Sequence, residues 1–123
     1  VGSDGSLALC AFSPASNTAL ATSDYSNFGT TRFCDTDIPD SSWTGTLTWA
    51  LNASGLAAVD VEGISKFGVI LDFDLDDAEP SWSSGWKSSL TMKMAETSGT
   101  ASDPYLEVVA DPLAPKSKIM TFL

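Results

Sequence analysis

The 123-residue sequence contains no histidine, only two cysteines, and only six basic residues against sixteen acidic ones. Without histidine the chain by itself cannot build a Ser-His-Asp triad, a Cys-His pair or a His-ligated zinc site. At a formal net charge of -10, with no cluster of Lys or Arg to release counterions, it repels a phosphate backbone, so nucleic acid is excluded as a partner. No apolar run approaches the ~20 residues that cross a bilayer, and no membrane insertion is expected.

What is present suffices for one compact domain. A hydrophobic content of 43% and an aromatic content of 10% supply enough apolar surface to close a core despite the charge. The charge is unevenly placed. Residues 1–111 hold all sixteen acids with four bases, whereas residues 112–123 hold two lysines and no acid. This divides the chain into a body, 1–111, and an extended basic tail, 112–123.

The body reads as strands separated by turn formers. Ser6 to Phe12 is a short apolar run stopped by Ser13-Pro14, and Thr30 to Cys34 returns as a second strand. Thr44 to Asn52 alternates, with Leu47, Trp49 and Leu51 on one face and Thr46, Thr48 and Ala50 on the other. Leu56 and Val59 follow Ser54-Gly55 at near-helical spacing and predict one short helical turn, the only helix. Lys66 to Asp74 resumes period two, with Phe67, Val69, Leu71 and Phe73 inward and Asp72 and Asp74 outward. Further strands are predicted over 89–95 and 105–110. Short strands at roughly ten-residue intervals indicate an all-β fold, an antiparallel β-sandwich of jelly-roll type.

The succession Asp24-Tyr25 with Gly29, Leu51 to Leu56, Gly63 to Gly68 followed by Asp72 and Asp74, and Asp103 to Val108 resembles the later part of DNRLRE-type domains. That resemblance implies an extracellular β-sandwich of the kind found in bacterial surface and secreted proteins and in phage structural proteins. It also implies opening strands that are missing here. A sandwich without them exposes an apolar groove and an unpaired sheet edge, which something must fill.

The tail is one candidate to fill it. Pro112 and Pro115 with Lys116 and Lys118 form an extended spacer, and Ile119, Met120, Phe122 and Leu123 give it an apolar, strand-forming end. It is the last strand of its own sandwich, a short segment packed on its own domain, or a donor strand for the next subunit. A head-to-tail contact that does not close makes a filament.

Four further groups are candidates. Cys10 and Cys34 are either two buried free thiols or a disulfide closing a loop of about 25 residues, worth roughly 3 kcal/mol. The Ser/Thr-rich, acidic composition and the absence of an initiator Met fit an extracellular chain whose leader has been removed, or a fragment. Asp72, Asp74 and Asp76 are hard oxygen ligands suited to Ca²⁺, although no EF-hand is spelled, and a solvated strand end is the plainer reading. Trp82 and Trp86 either cap the core or form a glycan-stacking platform, and Asn52-Ala53-Ser54 has the form of a glycosylation sequon. These features predict a non-enzymatic extracellular structural subunit that self-assembles by strand exchange. The alternative is a carbohydrate-binding module of a larger secreted protein.

Overall fold

The computed structural model describes residues 5–80, together with 91, 98–99, 101 and 103–108. The chain separates into two compact units, Val1–Ser88 and Ser89–Leu123. In the second unit, residues 104–108 join no strand, and Tyr105, Leu106 and Val108 are exposed, so the described part of the strand predicted over 105–110 is not formed. The strand predicted over 89–95 and the tail 112–123 lie outside the described residues.

The first unit holds an antiparallel sheet of four strands, β1 (Ser6–Phe12), β2 (Phe28–Arg32), β3 (Ile38–Pro39) and β4 (Phe67–Leu71). Strand β1 is its middle. β4 pairs along one edge from Leu7↔Leu71 to Ala11↔Phe67. β2 and β3 share the other edge, at Cys10↔Arg32 and Phe12↔Phe28 and at Leu7↔Ile38. A strand flanked on both sides needs small or apolar residues on both faces. The run Leu7-Ala8-Leu9-Cys10 meets that need, and Leu7, Ala8 and Cys10 are all buried.

One face of the sheet packs Ala8 and Cys10 against Leu75, with Phe28 and Ile70 around them. On that face Phe12 and Phe28 stack at 4.4 Å. A Cβ on Gly68 would stand 2.5 Å from Phe28 Cε1, which is why an apolar strand carries glycine at its centre. The other face brings Phe33 and Phe67 edge to face at 5.8 Å.

The helical content exceeds the sequence expectation. The predicted turn forms as α1 (Ala53–Ala57), but a second helix, α2 (Asp72–Leu75), and two 3₁₀ turns, Thr22–Asn27 and Asp40–Ser42, accompany it. Helix α2 truncates the strand expected to run to Asp74. Asp72 Oδ1 accepts from the amides of Ser6 and Phe73, both at 2.9 Å, and so turns the chain out of the sheet plane. The 3₁₀ turn Thr22–Asn27 is organised by buried Asp24. Its carboxylate accepts from the amides of Ala15 and Ala21, both at 2.9 Å, and from Asn27 Nδ2 at 3.1 Å. All-β describes the sheet, while a second layer packed on it is not found among the described residues.

Candidate functional site

The segment Thr44 to Asn52 keeps the predicted alternation without becoming a strand. Leu47, Trp49 and Leu51 are half-buried, and Thr46, Thr48 and Ala50 are exposed. Leu51 alone pairs, in an antiparallel bridge with Cys34, reinforced by Asn52 N donating to Phe33 O at 2.8 Å. From that bridge the two chain segments part. Asp35–Pro39 goes to β1 through β3, while Thr46–Ala50 stays extended, and no backbone partner of Thr46–Trp49 is found among the described residues.

Between the two segments lies an open cleft of about 650 Å³. Ile38, Leu47, Trp49 and Leu51 are its apolar lining residues, and Asp35, Asp37, Thr46 and Thr48 are among its polar ones. Two indoles tie this segment to the sheet. Trp49 Nε1 donates to Leu7 O at 3.3 Å, anchoring one wall on β1, and Trp43 Nε1 donates to Ile38 O at 2.9 Å at the far end. At the bridged end Asn52 is the N-cap of α1. Its Oδ1 accepts from Gly55 N at 3.0 Å, and its Nδ2 donates to Arg32 O at 3.3 Å and Asp35 Oδ1 at 3.1 Å.

Arg32 fixes the acidic wall from behind. Its Nε donates to Asp37 Oδ2 at 3.0 Å, and Nη1 and Nη2 grip both oxygens of Asp76 at 2.7 and 2.9 Å. The hydrogen bonds to Asp76, with the charges of both carboxylates, raise the guanidinium above its already high ordinary value. Hydrogen bonding to Arg32 lowers Asp76. The wall is thus pinned to both β2 and the end of α2.

Several sequence candidates are placed differently from expectation. Asp72, Asp74 and Asp76 do not converge, and no cluster of three or more metal-ligating side chains exists among the described residues. Asp72 is turned to backbone amides and Asp76 to Arg32, while Asp74 faces Tyr25, whose phenol its charge pushes up. The candidate Ca²⁺ set is lost because the chain coils at Asp72 and spreads the three carboxylates round a helical turn.

Cys10 and Cys34 are buried free thiols, without the candidate disulfide. Cys10 stands opposite Arg32, and Phe33 N donates to Leu9 O at 2.8 Å, so Cys34 is a diagonal step from Cys10 and not its direct neighbour. Diagonal partners stand about 7–8 Å apart, beyond the span of a relaxed bridge. Burial raises both thiols, with nearby Asp37 adding to the rise, and keeps them protonated. Asn52 has the form of a glycan acceptor, yet its Nδ2 is committed to Arg32 O and Asp35.

Trp82, Trp86, Ile119, Met120, Phe122 and Leu123 lie outside the described residues. Sequence reasoning did not single out Arg32, although it is one of only two bases in residues 5–80 and therefore the natural hub for the acids around it. It named Asp24 only within the resemblance and not as a buried carboxylate, because that burial depends on three donors that only the folded loop assembles. Comparison with family models, with curated proteins and with solved structures finds no match.

Proposed function

We propose that the chain is a non-enzymatic, extracellular structural subunit that assembles with further copies by strand exchange into a filament or surface appendage. The observation that carries this reading is the extended backbone of Thr46–Trp49 along an open cleft, without a pairing strand among the described residues. Unpaired strand-like backbone beside apolar side chains is what β-augmentation uses: main-chain bonds hold the added strand and pockets take alternate side chains. Leu47, Trp49 and Leu51 supply the apolar floor, and the segment Ile119–Leu123 has the composition of a donor. Burying two or three of the donor's large side chains would contribute about 1.5–3 kcal/mol each.

In this reading the sheet around β1 is one layer of a jelly-roll sandwich. The resemblance to DNRLRE-type domains supports the same surface role, through the residues quoted above alone. The glycan-binding alternative draws on Trp82 and Trp86, and nothing among the described residues favours it.

Electron microscopy of the native material beside size-exclusion chromatography of the isolated chain tests the proposal. Filaments, and their loss on deleting residues 116–123, are the expected result. Polymerisation that persists after the deletion, or a full-length chain that stays monomeric at high concentration, overturns it.

A further inference from the structure

The cleft is electrostatically lopsided. Its bridged end, where Cys34 meets Leu51, carries Asp35, an exposed carboxylate that accepts from the neutral amide of Asn52. No cation pairs with Asp35 among the described residues. Two positions further along the same wall, Asp37 is already paired with Arg32 at 3.0 Å. The uncompensated negative charge on the cleft's rim therefore sits at the bridged end.

The C-terminal segment has a matching asymmetry. Lys116 and Lys118 come first and the apolar residues 119–123 follow, with no acid in the last twelve residues.

We infer that the occupant of the cleft is the C-terminal segment of a second copy, lying antiparallel to Thr46–Ala50 with Lys116 and Lys118 at the bridged end beside Asp35. This rests on the strand-exchange reading and adds the donor's identity and polarity to it. Thr46–Ala50 runs toward the bridged end. A donor whose lysines are held there runs away from it, so the two strands meet antiparallel, the arrangement with straight hydrogen bonds and the more stable pairing. Reversed, the donor would place Leu123 against the Asp35 carboxylate and leave both lysines beside Thr46, far from the unpaired acid.

Mixing two full-length chains, one with Ala50→Cys and one with Ile119→Cys, tests the polarity. Oxidised glutathione serves as oxidant; two thiols give one disulfide, and glutathione leaves reduced. Cys10 and Cys34 are buried, so each unmixed variant measures the background. A cross-linked heterodimer on a non-reducing gel, with Thr46→Cys and Ile119→Cys giving none above background, is the expected result. The opposite outcome overturns the polarity while leaving strand exchange intact. If neither mixture cross-links and Lys116→Glu with Lys118→Glu leaves the assembly unchanged, the strand-exchange reading itself fails. If cross-linking is efficient only within one chain carrying both Ala50→Cys and Ile119→Cys, the second copy is excluded as donor. Asp35→Lys should reduce assembly, and combining it with the two Lys→Glu changes should restore it.

Discussion

Arg32 grips Asp76 through two parallel hydrogen bonds, Nη1 to Oδ1 at 2.7 Å and Nη2 to Oδ2 at 2.9 Å, across 44 residues of sequence. The same guanidinium holds Asp37 through Nε, so β2, the acidic wall of the cleft and the end of α2 meet on one side chain. The two-pronged geometry requires the planar fork of arginine, and a lysine at this position would hold one acid as a point charge.

Arg32→Lys is accordingly expected to lower the melting temperature even though charge is conserved. Asp76→Asn should lower it less, because Asp76 is half exposed and water takes over part of the lost interaction. Thermal melts in low and high salt check this. The gap between wild type and Asp76→Asn should narrow as salt rises, since exposed pairs are screened.

Asp24 predicts a response to acid. Its hydrogen bonds from the amides of Ala15 and Ala21 stabilise the charged form and hold the carboxyl below its ordinary range. A lowered folded-state value means that the stabilisation is fully present above the unfolded value, near 3.9, and is lost as pH falls through the folded one. Stability of the wild type should therefore fall below about pH 4. Asp24→Asn should be less stable at neutral pH and should show a shallower decline, measured by urea midpoints across pH.

Gly68→Ala is expected to destabilise the sheet by about 1–3 kcal/mol, the usual range for overpacking a filled core. The new methyl would meet the ring of Phe28 at 2.5 Å and Cβ of Phe12 at 2.9 Å, and Phe12 and Phe28 are already stacked. A urea titration measures the loss, and Phe28→Leu in the same chain should recover part of it by removing the ring that collides.

Asn52→Ala should cost about 1 kcal/mol through the lost N-cap of α1. It also removes the donor to Asp35 and loosens the bridged end of the cleft. Intact mass of the chain expressed through a glycosylating secretory pathway provides a second readout. With Nδ2 engaged, the expected mass is that of the bare chain at this position, and a glycan-sized increment that disappears in Asn52→Ala would contradict it.

How much of this was legible in the sequence can be seen at particular residues. Ser6–Phe12 is apolar on both faces and reads as a buried strand, and so it forms. Alternation also identifies Leu47, Trp49 and Leu51 as the inward set of 44–52, and Ser54-Gly55 identifies the helical turn that Asn52 caps. The same alternation, carried through Phe73, misassigns Asp72 and Asp74. The pattern does not register that Asp72 finds the amide of Ser6, 66 residues away, and turns the chain into α2 there.

The local rules of periodicity, turn chemistry and charge count thus determined that the chain is β-rich, which side chains face inward along each extended segment, and which chemistries a histidine-free acidic chain excludes. Whether an extended segment acquires a partner is a different matter, because pairing depends on what stands beside it in space. Tertiary structure alone decided that β1 is flanked on both edges while Thr46–Trp49 finds no strand partner among the described residues, that Cys10 and Cys34 meet diagonally, and that Arg32 gathers Asp37 and Asp76. Apart from the Arg32–Asp37 pair, five residues apart, these relations join residues distant in sequence and depend on which segments the fold brings together, not on the composition of either partner.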